Sequence, residues 1–501
     1  MPKIRKPSTD MLWPFAALAG YIFFISLMPI SPNDFWWHLK IGELIHLNGE
    51  IPTTNIFAWT LPANHPYFYA AWLSEYLFYL LYLVGKIELV MFARNILVLI
   101  VFLLWMVETY RQSRSWRLTT LTVIIGGGMI FNNLAMRPQL WSVLAFILGV
   151  TIINRYRDGQ LRSRWLVIYP LIILFWVNLH GAFMLGVVFV GIVCFGELMR
   201  TLFKQAGYLP RQKVGALMLT GLATILVTLI NPRGANIWNY VLRMSSSIDI
   251  RELNSEWQPP SPEGFAAILF FASILIFMIV LYYSNYRPTF TDLLLVLCFL
   301  WLAWTAGRHI IWYAIIVVPL LVRGIQQLPV KLPQFSSQRN WLNLVVLLLL
   351  FVPAFLVQPW WIERFPLPDT YWKVIYKGEA IGPLVGKENP IEAVEFLRDH
   401  PGGNLFHDAH YGSFLIWALP DQGVFIDARV ELYPRDLWDD YSNISDGIRS
   451  EELLAKYRAD RILLDIEEQP ELLLVLENNS RWFLEYQDER TMIWKQASLS
   501  E

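Results

Sequence analysis

Asn33-Asp34-Phe35-Trp36-Trp37-His38 stands directly after an apolar run that extends from Met11 to Ile30. A helix needs about 20 apolar residues to cross the hydrocarbon core, so the run reads as a membrane span and Asp34 as the first acid beyond it. The same measure carried along the chain gives eleven spans, at 11–30, 88–108, 118–133, 139–154, 165–179, 182–200, 214–231, 264–284, 291–306, 309–325 and 341–358. Trp72–Gly85 is also apolar, but it is short and carries Glu75. It reads as a juxtamembrane helix at the interface.

Composition agrees. The 501 residues are 55% hydrophobic and 16% charged, against about 25% charged in an average soluble protein, and the mean hydropathy is +0.40. These figures exclude a disordered chain and a typical soluble enzyme. A net charge of −1 argues against broad nucleic-acid binding. Cys194 and Cys298 each lie in apolar runs and read as packing residues. Basic Met1–Lys6 ahead of a long apolar run without a small-residue cleavage pattern reads as an uncleaved first span.

With the N-terminus cytoplasmic, the inner connections hold eighteen Lys and Arg, among them Lys3, Arg5, Lys6 and Lys331, and the outer loops before residue 359 hold eight. That is the positive-inside bias. Spanning Trp72–Gly85 would reverse every later loop and break it. The frame predicts an integral protein of the inner or plasma membrane, with residues 359–501 outside the cytoplasm. All eight histidines then fall on the outer side.

The outer turns read Asn132-Asn133-Leu134-Ala135-Met136-Arg137-Pro138-Gln139, Asn178-Leu179-His180-Gly181, Asn231-Pro232-Arg233-Gly234 and Gly307-Arg308-His309. Taken singly, each is an ordinary set of turn, cap and snorkelling residues. Taken together, cations and imidazoles beside an acidic first loop suit an anionic, partly lipidic substrate. Asn33, His38, Glu75, Arg137, His180, Arg233, Arg308 and His309 are therefore the candidate substrate-binding residues. Asp34 is the candidate general base, since three aromatics beside it lower the local dielectric. Its bland alternative is to cap the helix that begins near Trp36.

These residues make the chain resemble the C-type (GT-C) membrane glycosyltransferases, including protein O-mannosyltransferases and the bacterial aminoarabinose transferase of lipid A. The architecture resembles theirs along nearly the whole chain, while the residue-level likeness is confined to about residues 30–80, at Asn33-Asp34 and Trp72–Glu75. The resemblance implies an inverting sugar transfer from a polyprenyl-phosphate donor to a lipid, glycan or protein acceptor, with the first-loop Asp as base. Several relatives place a second acid in the second outer loop, where it helps to bind metal or acceptor. Residues 132–139 carry no Asp or Glu, so a divalent metal stays open, and Arg137, Arg233 or Arg308 would serve as the metal-free clamp on the departing phosphate.

Beyond a transmembrane domain (1–358, with the long first loop at 31–87) and a linker (359–389), residues 390–501 read as a small extracytoplasmic α/β domain. Strands are expected at Leu405-Phe406, Gly423–Asp427, Arg461–Asp465 and Thr491–Trp494, and helices at Ile391–Asp399, Gly412–Ala418 and Ser450–Tyr457. His407-Asp408-Ala409-His410 looks ligand-like but lacks further ligands at metal spacing. Asp427-Ala428-Arg429 reads as a strand end that faces the membrane site. The competing functions are a flippase or transporter of lipid-linked glycans, which would need charge near mid-membrane, and a non-catalytic assembly protein.

Overall fold

The structure is a computed structural model and describes residues 7–329, 338–362 and 384–497. Lys3, Arg5, Lys6 and Lys331 of the cation count and residues 363–383 of the expected linker lie outside the described residues. In chain order the helices are α1 (Leu12–Ser26), α2 (Phe35–Asn48), α3 (Trp72–Ser113), α4 (Trp116–Ile130), α5 (Gln139–Arg157), α6 (Ile168–Leu179), α7 (Phe183–Leu202) and α8 (Arg211–Val227). They continue with α9 (Asn236–Ser246), α10 (Ile248–Leu253), α11 (Phe265–Tyr283), α12 (Phe290–Thr305), α13 (Ile310–Gln326), α14 (Leu342–Leu356) and α15 (Pro359–Ile362). Two compact units result, one of Met1–Met28 with Met91–Phe365 and one of Pro29–Val90 with Pro366–Glu501.

The first unit is helical. Among the described residues of the chain, six helices are long and apolar enough to cross a membrane and four more are apolar but shorter. Helix α13 packs against α4, α5, α11 and α12, and every residue from Ile310 to Pro319 is buried. A helix apolar on all sides belongs in such an interior position. Helices α8 and α11 instead turn Leu219, Leu222, Leu275 and Ile279 outward, as lipid-facing helices do.

A knot of paired buried charge sits towards helix ends in this unit. Glu197 near the end of α7 accepts from Arg157 (2.9 Å), Arg200 (2.8 Å) and Thr291 (2.9 Å), and Asp292 accepts from Arg157 (2.8 Å). This knot joins the C-terminal ends of α5 and α7 to the start of α12. Both cysteines are free thiols.

Helix α3 reads as one element but breaks at Gly85 (φ −148°) and Lys86 (φ 52°). The break separates an apolar piece that starts at Trp72 from the longer piece beyond, at the point where the sequence divides a juxtamembrane helix from a span.

The second unit combines the first loop with the tail. In the tail, α16 (Ile391–Asp399), β1 (Leu405–His407), α17 (Ala409–Ala418), α18 (Arg435–Ser445), α19 (Ser450–Tyr457), β2 (Arg461–Asp465), α20 (Pro470–Glu477), β3 (Trp482–Gln487) and β4 (Thr491–Gln496) follow in order. The sheet runs β1-β2-β4-β3, parallel between β1 and β2 and antiparallel elsewhere.

One expected strand is corrected. Gly423–Asp427 does not join this sheet. Val424 donates to Phe57 O (2.9 Å) and accepts from Trp59 N–H (3.1 Å), both in the first loop. Its apolar run is buried against that loop, so burial supplied the signal that resembled a sheet strand. Strand β3 and helices α18 and α20 were not anticipated.

Candidate active site

Within the loop-and-tail unit, Asp34 is the N-cap residue of α2, yet its side chain makes no capping bond. Asn33 Oδ1 instead accepts from Phe35 N–H (3.0 Å). The helix start is thus served by the neighbouring amide, and capping does not account for the Asp34 carboxylate. Helix α2 ends at Gly49, whose φ of +71° is the left-handed conformation a C-terminal cap needs.

One turn beyond Asp34, His38 Nδ1 lies 2.9 Å from Glu75 Oε1. Both side chains are buried, and Glu75 Oε2 has no hydrogen-bond partner among the described residues. The two helices approach closely because position 42 is glycine: a Cβ there would stand 2.0 Å from the Glu75 carbonyl oxygen.

The tail contributes charge to the same unit. Arg429 holds Asp427 through two bonds (2.8 and 2.6 Å) and donates to Tyr69 Oη (3.3 Å), while its guanidinium lies over the rings of Trp37, Phe57 and Tyr67. Burial pushes the Asp427 carboxyl up, and the Arg429 charge overrides it and holds the group below the usual carboxylate range. Tyr67 donates to Glu431 Oε1 (2.8 Å). Burial raises the Glu431 pKa, and the charge of Asp34 adds to the rise. Asp34 and Glu431 are therefore electrostatic neighbours, both partly exposed. Sequence reading missed Tyr67 and Glu431. The flagged Asp427-Ala428-Arg429 was the nearest signal to the latter, but Asp427 and Arg429 themselves are buried ties to the first loop.

His407 is spent structurally. Its Nδ1 donates to the Asp408 carbonyl (2.8 Å) and its Nε2 accepts from Phe425 N–H (3.0 Å). Among the described residues no three His, Cys, Asp or Glu side chains come together to hold a metal ion.

Within the helical unit, Arg137 pairs with Glu256, and Arg308 lies 4.4 Å from the Trp257 ring centroid, with His309 edge-on to the same ring. Gly307 N–H donates to Gln258 O (2.9 Å), which fastens the Gly307–His309 turn to this segment. Burial alone would raise Glu256, and the charges of Arg137 and Arg308 bring it below the usual range. His180 feels the Arg308 charge: burial first, then Arg308, pushes its imidazole down to about 3. Arg137, His180, Arg308 and His309 are thus brought into one neighbourhood. Arg233 lies on the Asn231–Gly234 turn, where its N–H donates to Asn231 Oδ1 (2.8 Å). Glu256 and Trp257 were missed, since they lie within a long polar outer segment and not in one of the short turns.

No family model and no curated protein matches the sequence. Solved structures do. The oligosaccharyltransferase AglB from Archaeoglobus fulgidus is 13% identical, with a TM-score of 0.50 over 98% of this chain and 75% of AglB. The arabinofuranosyltransferase AftD from Mycobacteria is 12% identical, with a TM-score of 0.51 over 97% of this chain and 40% of AftD. At such identities the likeness is one of fold, and it extends along the described chain. The chain has the fold of the C-type (GT-C) membrane glycosyltransferases.

Proposed function

We propose that the protein is a membrane glycosyltransferase that moves a sugar from a polyprenyl-phosphate donor to an acceptor at the extracytoplasmic face. The observation that carries this reading is a GT-C fold whose first loop presents an acid, Asp34, that its own helix does not use as a cap. AglB is described in complex with a dolichol-phosphate and an inhibitory peptide, which supports a lipid-linked donor and leaves lipid, glycan and protein acceptors as alternatives.

In this reading the acceptor hydroxyl gives its proton to the Asp34 carboxylate as its oxygen attacks the anomeric carbon. The bond from that carbon to the phosphate oxygen breaks, the phosphate keeps the electron pair, and the anomeric configuration inverts. Fixed cations stabilise the charge that develops on the leaving phosphate, and Arg137 and Arg308 are assigned that role. Asn33, His38 and Glu75 hold the start of α2. Arg233 and His309 are assigned to the donor at the membrane rim.

The topology of this reading is eleven spans with a cytoplasmic N-terminus. Reporter fusions after Gln327 and at Glu501 are expected in opposite compartments, and the same compartment for both would overturn the placement of the site. The decisive experiment is sugar transfer by the purified protein from a polyprenyl-phosphate-linked donor. Asp34→Asn cannot take the proton, and general-base catalysis is worth about 10²–10⁴-fold, so turnover should fall by that order while donor binding persists. Undiminished turnover would remove Asp34 from the mechanism.

A further inference from the structure

His180 terminates α6 and is followed at once by α7. Among the described residues its ring is tied through one nitrogen only. Ser142 Oγ, fully buried on α5, lies 2.8 Å from His180 Nδ1, and Trp176 Nε1 lies 2.7 Å from the same Oγ. The backbone N–H of Ala182 also points at Nδ1, at 3.4 Å.

The donor and acceptor inventory decides the protons. An indole N–H only donates, so Trp176 occupies a lone pair of Ser142. The Ala182 N–H needs a lone pair on Nδ1, so Nδ1 carries no proton. The Ser142 hydroxyl hydrogen then goes to Nδ1, its one acceptor among the described residues. The neutral imidazole must carry its hydrogen on Nε2, which has no protein partner among the described residues. His180 itself is partly exposed, and its ring feels the positive charge of Arg308.

We propose that His180 is a hydrogen-bond donor of fixed tautomer for a phosphate oxygen, its Nε2–H presented by the Trp176–Ser142 relay beside Arg308. The proposal rests on the reading of the protein as an enzyme of phosphate-linked donors and adds the chemical form of one of its groups. A proton-accepting role is closed to this imidazole, because Nδ1 is already spent on Ser142 and Ala182. A neutral donor beside a guanidinium matches an anion that needs both charge and a directed hydrogen bond. The shared chemistry is the phosphate oxygen, whether it belongs to the polyprenyl carrier, to a phospholipid headgroup or to free phosphate.

The test is binding of radiolabelled polyprenyl monophosphate to the full chain in phosphatidylcholine nanodiscs, with phosphatidylglycerol and inorganic phosphate as competitors. The amide nitrogen of Gln takes the place of Nε2, whereas Asn reaches only the place of Nδ1. His180→Gln should therefore bind within about threefold of wild type. His180→Asn should bind about ten- to a hundredfold more weakly, the worth of a hydrogen bond to a charged group. Ser142→Ala, which releases the ring and leaves the buried Trp176 N–H without its acceptor, should weaken binding several-fold and also lower the unfolding midpoint.

A purely structural His180 reverses the order, since Asn preserves the Ser142 bond. Asn binding as well as Gln, or both variants binding like wild type, overturns the proposal, and so does a wild type that binds none of the three phosphates. Displacement by inorganic phosphate alone assigns the site to the free anion, and the Gln-over-Asn order must then hold for that anion. This readout does not depend on sugar transfer. The expected order with no transfer in any assay would defeat the transferase reading and leave this one standing.

Discussion

His38 Nδ1 and Glu75 Oε1 meet at 2.9 Å between the consecutive helices α2 and α3, and both side chains are buried. A buried pair of this kind fixes geometry more surely than it adds stability, because desolvation offsets much of the attraction. What it fixes is the first turn of α2, where the His38 N–H closes onto the Asp34 carbonyl (3.1 Å).

The close approach of α2 to α3 can be broken at one atom. In Gly42→Ala the new Cβ would lie 2.0 Å from the Glu75 carbonyl oxygen and 2.8 Å from Tyr79 Cβ. Backbone cannot step aside as a side chain can, so the overpacking cost should be at least about 1–3 kcal/mol. Gly20→Ala in α1, with nothing within 4 Å of its Cβ, should be neutral or stabilising. Thermal unfolding in detergent compares the two.

Arg429→Met should leave the Asp427 carboxylate buried and unpaired, at about 3–5 kcal/mol. Arg429→Lys should recover only part of this, since an ammonium cannot reproduce the two-pronged contact. Asp427 has a depressed pKa in the folded protein. Its contribution is therefore complete above the unfolded value of about 3.9 and is lost as pH falls through the folded one. Without Arg429, burial raises the Asp427 carboxyl, so the gap between wild type and Arg429→Met should be widest at pH 8 and narrow steadily as pH falls towards about 4. A gap that does not narrow in acid would show that the loss is packing alone.

Glu431 has the opposite sign. Its folded pKa is raised, so its contribution is complete below the unfolded value of about 4.3 and is lost as pH rises through the folded one. Glu431→Gln keeps an acceptor for Tyr67 and removes the charge. It should unfold at a higher temperature than wild type at pH 7.5, with the difference gone near pH 4. Equal midpoints at both pH values would mean that Asp34 and burial exert no net effect on Glu431.

Arg308→Met should raise the donor KM about tenfold, the worth of one charge-assisted contact, and leave Trp257 without its cation. Glu256→Gln should lower the KM, because the carboxylate now neutralises Arg137 and lies within the field of Arg308. Steady-state transfer at fixed acceptor checks both. A higher KM in Glu256→Gln would recast Glu256 as a group that positions the arginines.

The sequence by itself determined the membrane class and most of the helix positions. A run of apolar residues long enough to cross lipid must be helical, because its backbone has no other partner there. It also singled out Asp34, since an acid beside a span and three aromatics is costly without a use. Local pattern did not reach the partners. That Asn33 takes over the capping, that Tyr67 meets Glu431 across more than 360 positions of chain, and that Val424 pairs with the first loop all depend on contacts between distant segments. The same holds for His180. Four letters, Asn178-Leu179-His180-Gly181, show an imidazole at a turn, but it takes Ser142, brought in from α5, with the Ala182 N–H of the folded turn, to assign its proton.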